Sequence, residues 1–538
     1  IGIAARIIET ENFDPTIQTL DKFLSSRLYL RAMSLATSLG VSENITKSIN
    51  DIKAKTGIKK MIQAKVIAVD LDGTLTLTDT LNEAVLNLVR TKPFMLFLLP
   101  IWLAKGVAYL KLKVAENSVL DVTTLPYNVP FIDWLREQKT SGKKIVLCTA
   151  ANELIAHNVS KHFDFFDEVI ASDEHTNLRS INKRKALEEK YGEQGYDYAG
   201  NSRADIEVWA GASKAIVVNA NARVLKKASQ VATVTDTFPS ESPSLSLWLK
   251  GLRLHQWLKN LLLFVPLLAA HQFGNLQSLG TLIVAFISFS LCASSVYIVN
   301  DLLDLESDRR HPRKKDRPFA SAKLPVSYGV AITPLLIGSS VTLGTIVGKD
   351  YLVVLLLYLA LTAAYSLVLK RLVIVDCLTL ATLYTVRIIA GAVAVSVTLS
   401  FWLLSFSVFI FLSLALLKRY AEIKVLIQEG KSFAHGRGYV VSDAPLLQTL
   451  GVSSGYISAL VIALYVRSED VVSLYAQPLA IWLVLPILLF WVSWLWLKAE
   501  RGEMHDDPIV FAAKDKTSLL VAALTAVVCL YATTEMMF

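Results

Sequence analysis

In the stretch Asn300–Pro318, NDLLDLESDRRHPRKKDRP, a long apolar run passes abruptly into carboxylates and then into bases. Continued as a helix, the run places Asp301, Asp304 and Asp308 at i, i+3 and i+7, on one face. Three carboxylates so placed repel one another unless a cation lies among them. Oxygen ligands suit Mg²⁺, which is commonly held by one or two carboxylates plus a substrate's phosphates. The bases that follow, Arg309, Arg310, Arg313, Lys314, Lys315 and Arg317, would neutralise the remaining phosphate charge. The plainer alternative is a positive loop beside a membrane, with acids that keep it soluble.

The elements that must position these groups follow from composition. A chain of 538 residues exceeds one ordinary domain. It is 53% hydrophobic with a mean hydropathy of +0.46, and the apolar residues concentrate after residue 250. The net charge of +8 would suit nucleic acid, but the bases fall between apolar segments, so a membrane explains them and no nucleic acid is needed. Cys148, Cys292, Cys377 and Cys529 stand singly in apolar surroundings, which implies no disulfide framework. Residues 1–64 are polar, carry no motif, and read as a leader or packing appendage.

Residues 65–235 alternate short apolar runs with helical stretches. Strands are expected at Lys65–Val69, Lys144–Cys148, Glu168–Ala171, Ala215–Val218 and Val231–Thr235. Such alternation predicts an α/β domain with a parallel sheet, binding its ligand at the carboxyl ends of the strands. Asp70 and Asp72, in Asp-Leu-Asp-Gly-Thr, stand at such an end. This half resembles the haloacid dehalogenase superfamily, which carries that motif after its first strand. The resemblance implies that Asp70 is a nucleophile taking up a phosphoryl group and Asp72 its acid/base. It also implies that Thr149 and Lys183 (with Lys185 as second choice) complete the site, and that Asp70, Asp72, Asn201 and Asp205 hold Mg²⁺. Asn201 replaces an acid usual in that motif, leaving the metal site one negative charge short. The insert 75–141 lies where the family carries a helical cap. Within it, Pro93–Leu103 is apolar yet too short to span a bilayer. It is either the core of the cap or a piece that dips into the membrane interface.

Residues 236–247 are Pro/Ser-rich and read as a linker. From 248 to 538, about nine apolar segments are expected, centred near Val265, Phe286, Leu336, Leu357, Leu383, Phe409, Ala459, Leu488 and Ala526. Eighteen Lys/Arg fall on one set of connections and two, Lys349 and Arg467, on the other. That bias places the first set, the acids and the α/β domain on the cytoplasmic face of a membrane, expected to be a bacterial inner membrane. Arg387 lies inside an apolar segment, where an arginine is costly and marks a functional site with an anion as partner.

This half resembles the UbiA superfamily of intramembrane transferases, through Asn300-Asp-x-x-Asp-x-x-x-Asp308, Tyr365-Ser…Lys370-Arg371 and the nine-segment plan. Within it, the likeness is nearest the decaprenyl-phosphate phosphoribosyltransferase branch. That likeness rests on Gln256-Trp-x-Lys259-Asn260, His311-Pro-x-Lys314-x-x-Arg317-Pro318, Arg387-Ile-Ile-Ala-Gly391, Lys418-Arg419-Tyr-Ala-Glu422 and Asp506-Asp507-Pro. It implies a Mg²⁺-dependent transfer of 5-phosphoribose from phosphoribosyl pyrophosphate to a polyprenyl phosphate. Asp301, Asp304 and Asp308 would be catalytic. Gln256, Asn300, Arg310, Lys314, Arg317, Tyr365, Arg419, Asp506 and Asp507 would bind substrates, with Lys259, Lys370, Arg387 and Lys418 receiving the lipid phosphate. Aromatic prenyltransferases of this fold carry a second Asp-rich motif after the sixth helix, where this chain reads KRYAEIKVLIQEG without paired acids. An aromatic polyprenyltransferase is the alternative enzyme, and a membrane scaffold or transporter the alternative outside enzymes. A homo-oligomer is compatible with the sequence.

Overall fold

The computed structural model describes residues 66–240, 243–272, 274–428, 430, 438–504 and 507–534. The leader, Lys431, Arg437 and Asp506 therefore lie outside the described residues. In the α/β domain six strands form one parallel sheet: β1 Val66–Val69, β2 Ile145–Asn152, β3 Glu168–Ser172, β4 Tyr196–Gly200, β5 Lys214–Ala220 and β6 Val234–Pro239. Their order is β3-β2-β1-β4-β5-β6. The central strand β1 is buried throughout because Val66-Ile-Ala-Val69 offers apolar side chains to both faces. Two strands differ from expectation. β4, YDYAG, was not expected, since its tyrosines and aspartate hide a buried strand. β6 runs through residues read as linker, and its alternating burial marks a half-exposed edge, so the connection to the membrane half begins only after Pro239.

The helices of this domain are α1 Thr80–Thr91, α2 Leu99–Ala104, α3 Val107–Asn117, α4 Val129–Thr140, α5 Glu153–His162, α6 Ile181–Tyr191, α7 Ile206–Gly211 and α8 Ala222–Val231. The first three lie in the insert, with a 3₁₀ turn at Pro93–Leu98 between α1 and α2. α4, inside the span assigned to the insert, leads directly into β2 and packs Phe131, Ile132 and Leu135 into the sheet core.

The membrane half comprises α9 Leu245–Gly251, α10 Val265–Ala269, α11 Leu276–Leu303, α12 Leu305–Arg310, α13 Val326–Val347, α14 Lys349–Leu367 and α15 Val375–Ala394. It continues with α16 Phe401–Gln428, α17 Ala444–Tyr465, α18 Glu469–Leu474, α19 Val484–Glu500, α20 Pro508–Ala512 and α21 Lys516–Thr533. Among the described residues, eight helices rather than nine are long and apolar enough to cross a membrane: α11, α13–α17, α19 and α21. The first expected segment is instead a 3₁₀ run, Leu254–Phe264, followed by the short α10. A 3₁₀ run of this length is uncommon and marks strain or function. It presses against α15 at Gly391, where an added Cβ would lie 1.9 Å from the carbonyl oxygen of Leu263. Between α11 and α13, Ser288 and Ser340 donate hydroxyls to each other's backbone carbonyls at 2.8 and 2.7 Å. Such small polar residues let membrane helices pack closely.

The two halves meet at the end of α11. Leu86 of α1 packs with Ile298, Leu302 and Leu305. Glu83 accepts two hydrogen bonds from Arg309, at 3.1 and 2.6 Å, in a buried ion pair. Arg90 reaches Glu306 at 3.1 Å, and Arg310 pairs with Asp121. The sheet domain thus docks on the end of the bundle that carries the Asn300–Pro318 motif.

Candidate functional site

The first group of sequence-predicted residues converges at the carboxyl end of β1. Asp70 Oδ1 accepts 2.8 and 2.9 Å hydrogen bonds from Lys183 Nζ and the Leu71 amide. Lys183 also donates to the Tyr198 hydroxyl at 2.8 Å, and that hydroxyl donates to Asp205 Oδ1 at 2.7 Å. Lys185 forms no part of this network; the register of α6 buries Lys183 instead. Asp72 Oδ1 accepts from the Thr80 amide at 2.7 Å, tying the site to the first turn of α1. Thr149, fully buried, accepts from the Ala151 amide at 3.0 Å. The Asn201 side chain lies over Gly73, whose φ of +74° and missing Cβ are both required there, since a Cβ would stand 1.9 Å from Asn201 Nδ2.

Burial pushes the Asp70 carboxyl up to about 6, against the opposing pull of Lys183. Burial, then repulsion from Asp79, pushes Asp72 up to about 7. Lys183 loses solvation, but Asp70 and Asp205 more than offset this and hold it charged. Asp72, raised furthest, suits a carrier of a proton, and Asp70, whose charge Lys183 favours, suits attack. Asp205, read as a metal ligand, spends Oδ2 on the Asn201 and Ser202 amides and the Ser202 hydroxyl, at 2.7–3.1 Å, and so shapes the loop. Among the described residues, no three His, Cys, Asp or Glu side chains gather to hold a metal ion. At this site the available oxygens are those of Asp70, Asp72 and the Asn201 amide.

The second group lies at the end of α11, and it differs from the single face expected. The helix stops at Leu303, Asp304 forms the break, and α12 starts at Leu305. Asp301 and Asp308, both buried, still meet, because Arg317 NH1 donates to both at 3.1 and 2.6 Å. Asp304 turns away and accepts from Lys370 at 3.1 Å. Asp301 is gripped a second time by Arg253, whose Nε donates at 3.0 Å. Arg253 holds a left-handed φ of 53°, a strain of about 1–3 kcal/mol that such sites tolerate. Burial raises the Asp308 carboxyl although Arg317 opposes it. Asn300 Oδ1 is buried with no hydrogen-bond partner. Two converging carboxylates and an unused amide oxygen fit a hard divalent cation; the third carboxylate lies apart from them.

A third cluster is cationic. Lys259 of the 3₁₀ run and Lys418 of α16 both donate to Asp507 Oδ2, at 2.8 and 2.9 Å, and Tyr384 lies 3.3 Å from Oδ1. Burial disfavours the Asp507 charge, but Lys418 and Lys259 outweigh it and hold the carboxyl far below its usual range. Among the described residues Arg387 pairs with no carboxylate: it donates to Asn260 at 2.9 Å and Tyr358 at 3.0 Å, and stacks near Phe289, Tyr358 and Tyr384. Arg419 is buried against Asp376, with Glu422 at 2.7 Å and the Tyr365 hydroxyl at 2.9 Å, so both Arg419 and Tyr365 are committed to packing contacts. Arg310 faces Asp121 and Glu306 at the domain boundary. Gln256 and Lys314 are half-buried beside the acids' end of the bundle. The sequence alone did not single out Arg253, Tyr198, Asp376 or Lys111. A non-glycine forced into left-handed backbone leaves no compositional signal, and the other three matter only through partners distant in sequence.

Eight apolar helices with acids and bases gathered where they end define a multi-pass integral membrane protein. A profile of the UbiA prenyltransferase family matches residues 261–511. Decaprenyl-phosphate phosphoribosyltransferase of Mycolicibacterium smegmatis is 30% identical over 50% of this chain and 86% of its own length. Nodulation protein NoeC of Azorhizobium caulinodans is 35% identical over 50% of this chain and 87% of its own. The uncharacterized protein y4nM of Sinorhizobium fredii is 35% identical over 85% of this chain and 89% of its own, a span that takes in both halves. A solved UbiA homologue from Archaeoglobus fulgidus, bound to GPP and Mg²⁺, aligns with a TM-score of 0.41 at 14% identity, covering 52% of this chain and 99% of that one. The chain belongs to the UbiA prenyltransferase family, and is therefore a membrane transferase.

Proposed function

We propose that the membrane half moves 5-phosphoribose from phosphoribosyl pyrophosphate to a polyprenyl phosphate, and that the sheet domain removes the 5-phosphate of the product. One observation carries the choice of donor and acceptor: the site has one acidic pole and one cationic pole. Asp301 and Asp308 meet at the first, while Lys259 and Lys418 meet at the second, where Asp507 is the carboxylate they share among the described residues. A diphosphate leaving group with its metal suits the acids. A lipid phosphate suits two lysines that today share only Asp507. In the reaction the lipid phosphate oxygen bonds to C1 of the ribose, the C1–oxygen bond to pyrophosphate breaks, and pyrophosphate leaves. Mg²⁺ held by Asp301, Asp308 and Asn300 would supply charge neutralisation for that leaving group, with Asp304 apart from them on Lys370. Arg317 and Arg253 hold the carboxylates in place, and Lys370 stands ready for phosphate oxygens.

The sheet domain would act as a haloacid dehalogenase-type phosphatase. Asp70 would bond to phosphorus as the alcohol departs with a proton from Asp72, and water would then release phosphate from Asp70. Contact between the halves favours hand-over on one side of the membrane, which the charge bias assigns to the cytoplasm. The test is to incubate the purified protein with both substrates and Mg²⁺ and to follow lipids by mass spectrometry. Polyprenyl phosphoribose should form, followed by its dephosphorylated derivative. Reaction of an aromatic acid with a prenyl diphosphate, without reaction of phosphoribosyl pyrophosphate, would establish the aromatic transferase instead.

A further inference from the structure

The insert of the sheet domain turns an apolar surface outward. From the 3₁₀ turn to the start of α3, Phe94, Leu96, Phe97, Ile101, Leu103 and Val107 are exposed, Phe94 by 84% and Phe97 by 76%. The same stretch also has an inner face: Trp102 is buried, and Met95 and Leu99 pack on the sheet-domain core. The fold of the insert is thus satisfied without the outer side chains. An exposed apolar patch of this kind marks a partner surface or a membrane.

Its position identifies the partner as lipid. Arg90, two residues before Lys92, pairs with Glu306, three residues past the end of α11. Leu86, one turn earlier, packs on Leu302 and Ile298 inside that membrane helix. The patch therefore follows directly on a helix anchored at the level where α11 leaves the apolar layer. Lys92 precedes it and Lys105 lies near its far end, with Lys105 Nζ 5.0 Å from the Tyr109 ring centroid; long cationic side chains of this kind suit an interface.

The segment feeds α3, and α3 carries Lys111 to the strand ends. Lys111 Nζ donates to the Ala150 carbonyl at 2.5 Å and to Asn177 Oδ1 at 3.0 Å. Ala150 follows Thr149 of the Asp70 site. No carboxylate pairs with Lys111 among the described residues, although Asp72 and Asp79 are close enough to act on its charge.

We propose that residues 93–107 sit in the bilayer interface and that Lys111 receives the phosphate of a lipid-anchored monoester, so that the sheet domain draws its substrate from the membrane. The proposal rests on the phosphatase reading, and its two parts are tested separately. In the full chain in lipid nanodiscs, Phe97→Cys carrying a nitroxide should collide more often with oxygen than with a water-soluble nickel chelate. The reverse order, or dipolar broadening from a second copy, overturns the membrane seat. Hydrolysis is then compared on p-nitrophenyl phosphate and on a polyprenyl-linked phosphate monoester. The triple variant Phe94→Ser, Phe97→Ser, Ile101→Ser should lose at least about tenfold in kcat/KM on the lipid substrate alone, and equal rates on it overturn the proposal. Lys111→Met should lose about 10- to 100-fold on both substrates, the value of a charge-assisted hydrogen bond, with partial rescue by Lys111→Arg. Unchanged rates remove Lys111 from the site. Failure of the wild type on both compounds overturns the phosphatase reading and the role of Lys111, while the label still decides where the segment sits.

Discussion

The sheet-domain site and the membrane site handle buried charge in opposite ways. At the first, Asp70 and Asp72 are left with elevated proton affinity, and a single lysine, Lys183, serves Asp70. At the second, the buried acids meet bases from other parts of the chain: Asp301 with Arg253 and Arg317, Asp507 with Lys259 and Lys418, Asp376 with Arg419. At the strand end burial raises the proton affinity of Asp70 and Asp72, and Lys183 offsets it only in part at Asp70. In a bundle surrounded by lipid an unpaired charge costs far more, so each of these buried acids has a counter-ion and substrate must compete for it.

The largest expected effect breaks the molecule into two machines. Asp70→Asn should lower phosphate release by about a thousandfold or more, as loss of a nucleophile does, and leave lipid phosphoribosylation intact. Asp301→Asn should do the converse. Parallel loss of both activities in either variant, measured on one preparation, would mean that the sites do not work independently. Next come the pairs with no proposed chemistry. Glu83→Gln strands the buried Arg309 and should cost about 3–5 kcal/mol, seen as a lower unfolding midpoint in detergent. Asp376→Asn should cost less, because Glu422 still pairs with the buried Arg419. Lys418→Met is milder, because Lys259 still holds Asp507. It should weaken the lipid phosphate by about tenfold, in KM rather than kcat.

The same contrast explains what was legible. Around Asp70 the chemistry is local: an apolar tetrapeptide ends in two acids, and strand topology brings Thr149 and Lys183 to them. β4 escaped because YDYAG has neither the apolar run nor the alternation of an ordinary strand, and the strand expected at Val231–Thr235 falls too early because the Pro/Ser-rich stretch after it reads as a linker from residue 236. In the membrane half the apolar segments were plain, but the pairing was not. Lys259 and Asp507 lie 248 residues apart, and nothing in either neighbourhood points to the other. The three-aspartate face failed for a local reason. The helix breaks at Asp304, a fact settled by Lys370 and by the docking of α12 on the sheet domain rather than by the apolar period that precedes it.

The smallest effect is expected where the two halves touch in water. Asp121 pairs with Arg310, whose side chain is 55% exposed, so screening should leave the pair worth less than about 1 kcal/mol. The Thr123 hydroxyl, followed by Arg310, holds the Asp121 carboxyl below its usual 3.8. A carboxyl depressed by folding stabilises in full above its unfolded value, and that contribution fades as pH falls through the folded one. Asp121→Asn should therefore lower the unfolding midpoint slightly at pH 7 and converge with the wild type below pH 3.8. Glu83→Gln, by contrast, should remain far less stable at pH 7, because its partner Arg309 stays charged and buried. If the two variants cost the same at neutral pH, burial is not what separates the boundary pairs, and the contrast drawn between the watery and lipid-bound halves loses its physical basis.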